Sequence, residues 1–165
     1  MKRLLLILSA ASISHMMLSM EQPKPFVIPN VPFTIDAQPA YCERDNQYFM
    51  CARVKGNEVG RVWYSFILDT SIARMHYLGV LSSFRKQGIA SALLKTCIMQ
   101  AKKNKKKYLI WEAMPLEAGL TLEQLIEIYK KMAHKIDPTV GLTIGQPYGP
   151  SDCKKVNINM KIGEF

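Results

Sequence analysis

Seven residues, Ser82 to Gly88 (SSFRKQG), carry more chemistry than a connection between two elements requires. They follow an apolar, strand-like run ending at Val80 and precede an amphipathic stretch that begins at Ile89. Arg85 and Lys86 put two cations on the turn, and Gly88 closes it. The first four N–H groups of a helix have no partner inside it, and the aligned peptide dipoles leave about half a positive charge there. A glycine at that point lets the backbone approach an anion, and successive amides form a nest for phosphate oxygens. The stretch therefore reads as a phosphate cradle. It is not a P-loop, because no G-K-[ST] follows, and the three-glycine dinucleotide fingerprint is absent. A solvated loop can also be basic, so the neighbouring elements must decide.

Composition narrows the setting. A chain of 165 residues with 48% hydrophobic and 21% charged residues is an ordinary globular domain, large enough to bury one core. Its formal charge of +9, from 22 Lys and Arg against 13 Asp and Glu, suits an anionic partner: nucleic acid, an acidic membrane or a phosphate-rich cofactor. The four cysteines (Cys42, Cys51, Cys97 and Cys153) show no C-x-x-C spacing, so no zinc site and no other metal is expected. Cys97 falls on the apolar side of its helix and reads as core filling. The N-terminus MKRLLLILSAASIS has the basic start and short apolar run of a secretory signal peptide, so residues 1–20 are expected to direct export, with a cytoplasmic chain as the alternative. That run is too short for a comfortable membrane span. In an exported chain, Cys42 and Cys51 could be bridged, a point that the spacing leaves open.

The elements that must position the turn follow from periodicity. Residues 21–46 carry five prolines and read as an extended lead-in with one short strand near Phe33 to Ala37. QYFMCARV, a KGNE turn and VGRVWYSFIL predict a hairpin, and SIARMHYLGV a third strand. A helix is predicted from Ile89 to Lys103, ended by a KKNKKK run that reads as a solvated C-terminus. No aromatic residues interleave with these lysines, so nucleic-acid binding has little support. YLIWEA, Tyr108 to Ala113, is an apolar strand, parallel to the third by the right-handed crossover rule. Thr121 to about Lys135 predicts a second helix, with Thr121 as N-cap and Gln124 at the capping-box position. VGLTIGQPYGPSDC reads as turns, and VNINMKI as a final alternating strand.

In this context LGV-LSSF-RKQGIA resembles the acetyl-CoA signature of the GNAT superfamily of N-acetyltransferases, a strand ending in Val followed by [QR]-x-x-G-x-[GA]. Val80 ends the strand, and Arg85, Gly88 and Ala90 fill the motif positions. The order of elements fits too, from about Gln47 to Ile162. The resemblance implies an α/β fold (α+β, mixed sheet), with antiparallel hairpin strands beside a central parallel strand-helix-strand unit. It implies a domain at 47–165, with a reduced N-terminal helical region. It implies that the third strand and YLIWEA splay apart around the pantetheine arm of acetyl-CoA. Backbone groups of Leu78, Gly79 and Val80 would pair with the arm. Arg85 and the backbone of Lys86, Gln87, Gly88, Ile89, Ala90 and Ser91 would hold the pyrophosphate.

The resemblance also implies the chemistry, acetyl transfer to an amine acceptor. Glu112, in W-E-A, stands where some members carry a general base, and equally where a strand-end acid would sit at a sheet rim. Tyr129, in I-Y-K-K-M-A-H, matches the tyrosine that protonates the departing thiolate, and also lies on the helix's apolar stripe. His76 is a third titratable candidate, since imidazole chemistry suits a base near neutrality; a structural histidine of the hairpin accounts for it as well. Ala133-His134 replaces the family's usual Gly-Phe, and the two helices that shape the acceptor pocket have no counterpart in the lead-in. The alternatives are a CoA-binding protein without transferase activity and a basic domain for nucleic acid or an anionic surface. Export would require that another cell supply the acetyl-CoA.

Overall fold

The computed structural model describes residues 26–27, 33–39, 47–115, 119–151 and 153–163. The expected signal peptide, the Cys42 side of any bridge and much of the lead-in lie outside the described residues. Eight strands form one sheet: β1 (Phe26–Val27), β2 (Thr34–Pro39), β3 (Gln47–Val54), β4 (Asn57–Phe66), β5 (Ile72–Val80), β6 (Tyr108–Ala113), β7 (Gly141–Ile144) and β8 (Val156–Lys161). Their order across the sheet is β1-β2-β3-β4-β5-β6-β8-β7. Every neighbouring pair is antiparallel except β5 and β6, joined in parallel through α1 (Ile89–Lys103). The second helix, α2 (Leu122–Ile136), follows β6. This is the mixed α+β sheet that the element order implies.

Both helices lie on one face. α1 packs on β3, β4 and β5, and α2 on β6 and on α1. Leu93, Leu94, Cys97, Ile98 and Ala101 form the buried stripe of α1. Each fully buried leucine contributes about 1.5–3 kcal/mol. Cys97 fills the core as expected, its thiol pushed up by burial. Cys51 is also buried, with a free thiol. In β8 the alternation is strict: Val156, Ile158 and Met160 are buried, while Asn157 and Asn159 are exposed. Leu109, Trp111 and Ala113 of β6 face the core beside them, each opposite a buried residue of β8. The capping box of α2 is made as its sequence predicts: Gln124 N–H donates to Thr121 Oγ1 at 3.2 Å, and Thr121 N–H donates to Gln124 Oε1 at 3.0 Å.

Three features differ from the sequence reading. β7 lies inside the stretch read as turns; four residues on the sheet's outer edge, paired only with β8, leave little periodic signal. The lead-in supplies two strands rather than one, and β2 runs on to Pro39. Proline is tolerated there because β1 covers β2 only at Thr34 and Ile35. Finally, the KKNKKK run is not uniformly solvated. Lys106 Nζ donates to the carbonyls of Ile67 (2.8 Å) and Thr70 (2.6 Å), tying the β4–β5 turn to the start of β6.

Lys106→Met should therefore cost about 1–3 kcal/mol in urea unfolding, by leaving two carbonyls without their charged donor. Lys103→Met, at an exposed position in the same run, should stay within about 0.5 kcal/mol.

Candidate functional site

The site begins where β5 and β6 part. Their ladder pairs Ile72 with Tyr108, Ala73 with Leu109, Arg74 with Ile110 and Met75 with Trp111, and then stops. From His76 to Val80, β5 continues beside β4, while Glu112 and Ala113 continue beside β8. A bulge marks the divergence. Tyr64 pairs with Met75 and Trp63 with Tyr77, so β5 carries one residue more than β4, and that residue is His76. An extra residue bends its strand and increases the local twist. The edge of β5 that β6 leaves behind is a row of backbone donors and acceptors facing a gap. Leu78, Gly79 and Val80 lie on that row.

The basic turn continues from it. Leu81 N–H donates to Val59 O (2.9 Å), Phe84 N–H to Leu81 O (2.9 Å) and Arg85 N–H to Ser82 O (3.3 Å). Arg85 Nε donates to Val80 O at 3.1 Å, so the guanidinium braces the turn as well as charging it. Lys86 (φ 60°) and Gly88 (φ 83°) both adopt left-handed backbone. Nothing lies within 4 Å of where a Cβ on Gly88 would stand, so the constraint there is conformational rather than spatial. Gly88 is the N-cap of α1; it makes no side-chain cap, and the first turn holds no acid. The helical ladder starts with Ala92 N–H to Gly88 O (3.0 Å), leaving the amides of Ile89, Ala90 and Ser91 to point out of the helix end. Ile89 is 1% exposed, so only its backbone can meet a ligand. Gly60 lets this helix end sit on the sheet: a Cβ there would stand 3.0 Å from Gly79 O and 3.1 Å from Ile89 Cγ2. Uncapped amides, two cations and an adjacent polar strand edge fit a phosphate-bearing chain that also contains amides.

Glu112 and Tyr129 stand on opposite sides of β6. Tyr129 packs against Trp111 on the helical face, ring centroids 5.2 Å apart. Burial pushes its phenol up to about 12, so it keeps its proton at neutrality. Glu112 points the other way. It is exposed rather than enclosed by its apolar strand, and Lys155 Nζ lies 3.4 Å from its Oε2. The phenol of Tyr148 is held above its ordinary value by desolvation, then by a hydrogen bond to Glu112 and that group's charge. His76 joins two grooves on this open face. One, of about 670 Å³, runs past Phe49, Trp63 and Arg85, and the other, of about 430 Å³, past Trp111, Glu112 and Asn157. His76 Nε2 lies 2.8 Å from Ser65 Oγ, and its ring is 5.1 Å from that of Trp63, which stacks in turn on Phe49.

Sequence reasoning did not find Ser65, Trp63, Phe49, Tyr148 or Lys155. Alternation in VGRVWYSFIL puts Arg61, Trp63 and Ser65 on one face, a signal for two of them. The contacts of Lys155 and Tyr148 arise only from pairing between distant segments.

The shift at Tyr129 predicts alkaline behaviour. Its ordinary value is 10.0, and the folded value is higher. The stability it contributes is complete below about 10 and is lost as pH rises through about 12, because the unfolded chain releases the proton first. Tyr64 is shifted the same way by burial. Urea unfolding at about pH 9 and about pH 11 should therefore show a loss of stability that Tyr129→Phe reduces without abolishing.

Comparison with known proteins places the chain by family and by fold. The model of the Acetyltransferase (GNAT) family matches residues 15–132, more than half of the chain. An aminoglycoside 6'-N-acetyltransferase complexed with coenzyme A superimposes with a TM-score of 0.59 at 16% identity, over 74% of this chain and 76% of that one. A GNAT family acetyltransferase from Elizabethkingia anophelis with acetyl-CoA bound gives 0.54 at 16% identity, over 77% and 97%. Nourseothricin acetyltransferase gives 0.56 at 12% identity, over 94% and 96%. At these identities the likeness is one of fold. No curated protein sequence gives a match. With the family matched over most of its length and the gap, strand edge and uncapped helix in place, the chain belongs to the GNAT family of acetyltransferases.

Proposed function

We propose that this protein is an acetyl-CoA-dependent N-acetyltransferase acting on a primary amine. One observation carries the reading: the vacated edge of β5 leads, through a turn carrying Arg85 and Lys86, directly to the uncapped N-terminus of α1. Coenzyme A has that sequence of needs, amides in its pantetheine arm and then a pyrophosphate. Bound acetyl-CoA supplies an activated thioester. In this reading, Leu78, Gly79 and Val80 hold the arm through their backbone. Arg85 steadies the turn, and the amides from Lys86 through Gln87, Gly88, Ile89 and Ala90 to Ser91 receive the pyrophosphate. The amine enters from the open face, where Glu112 takes its proton and His76 is the second group able to do so. Tyr129, on the far side of β6, gives a proton to the departing thiolate. The amine adds to the thioester carbonyl to form a tetrahedral intermediate, from which the thiolate leaves; a base on the amine's side and an acid on the sulfur's side serve the two steps.

A second reading, coenzyme A binding without transfer, is favoured by one feature: Glu112 is already ion-paired with Lys155.

Calorimetric titration with acetyl-CoA separates these readings from none. Wild type should bind, and Gly88→Asp, which sets a carboxylate against the cradle, should weaken binding at least about tenfold, or about 1.4 kcal/mol. Absence of heat with wild type overturns both readings, and equal binding by the variant moves the cradle elsewhere. Tyr129→Phe should lower turnover about a hundredfold while affinity holds.

A further inference from the structure

Lys155 occupies an unusual place for a lysine. Its Nζ lies 3.4 Å from Glu112 Oε2, and Glu112 is the first residue of β6 beyond the last pair of the β5–β6 ladder. A primary ammonium therefore already sits beside a carboxylate that lines the groove next to the gap, approaching it from the β8 side of β6. Its position is built into the fold. Tyr148 and Lys155 exchange two backbone hydrogen bonds of 2.9 Å, which fix the Lys155 backbone just ahead of β8. Glu112 pairs with Asn157, so the stem of Lys155 starts next to the strand that carries the carboxylate. The contact is also labile. With side chains 36% and 56% exposed, such a pair is worth at most about 1 kcal/mol, and the amine can leave it. Two further ion-paired lysines, Lys102 and Lys130, stand on the helices instead.

We infer that Lys155 is itself an acceptor, acetylated in its own molecule by the acetyl thioester of coenzyme A bound in the gap. The inference rests on the proposed donor site and adds a modification site to it. The ammonium gives one proton to Glu112, which passes it to water. The neutral Nζ then forms a bond to the acetyl carbon as the carbon–sulfur bond breaks. The second proton lost from nitrogen is balanced by the one the thiolate receives, so the products are an acetamide on Lys155 and coenzyme A thiol. The acetamide has no charge, so the ion pair to Glu112 disappears and the carboxylate is released to an incoming acceptor. Modification of Lys155 thus leaves the Glu112 carboxylate without its ammonium partner.

The test uses the full chain and acetyl-CoA alone, with peptide mass spectrometry following acetylation at each lysine over time. Lys155 should be modified about a hundredfold faster than the exposed Lys103 and Lys107, the gain expected from holding the amine at the donor. Excess desulfo-coenzyme A should suppress Lys155 and leave Lys103 unchanged. Glu112→Gln should slow Lys155 at least about tenfold while the heat of acetyl-CoA binding is retained. Equal rates at Lys155 and Lys103, or a Lys155 rate untouched by the competitor, overturn the inference. Calorimetry keeps the two failures apart: heat without Lys155 modification removes the self-acetylation alone, whereas no heat removes the donor site with it.

Discussion

After Met75 and Trp111 the parallel ladder between β5 and β6 ends, and most of what the site can do follows from that interruption. Inside a sheet, every backbone donor and acceptor is expected to find a partner. Here a single extra residue, His76, turns β5 away from its neighbour and leaves a strand edge in the middle of an eight-stranded sheet. The sheet stays whole on either side, because β4 still holds β5 and β8 still holds β6. The gap therefore lies between two strands that are each held by another neighbour, and its polar walls match a chain of amides.

The period of a strand sorts the chemistry around that slot. Trp111 faces the helices and carries Tyr129 on its ring; Glu112, one residue on, faces the open side and meets Lys155. The Tyr129 phenol and the Glu112 carboxylate thus stand on opposite faces of the sheet. The same alternation makes one face of β8 core and the other the exposed Asn157 and Asn159 beside the second groove. α1 has two functions at once: its buried stripe anchors the sheet, and its uncapped first turn presents amides at the end of β5.

How much of this was legible in the sequence depended on how local each signal was. The bounds of α1 and β6 and the capping box of α2 come from contacts within a few residues, and the sequence reading places all three. The basic turn and its glycine N-cap were legible for the same reason, since turn, glycine and helix start are contiguous. The His76 bulge was not, because it is a mismatch between β4 and β5 that neither strand shows alone. Nor was the company of Glu112. An acid in an apolar strand suggests enclosure, but its partner Lys155 lies 43 residues on and arrives only through the pairing of β6 with β8. β7 escaped notice because four edge residues hold too few alternations to be read.

In the proposed mode of binding, the vacated edge of β5 and the start of α1 act as one surface. Amide hydrogen exchange with and without acetyl-CoA tests it directly. Slowed exchange should appear together, in residues 76–80 and 86–91, and should leave the β3–β4 hairpin unchanged. Slowing confined to another part of the sheet, or in only one of the two segments, would show that the two do not bind as one surface.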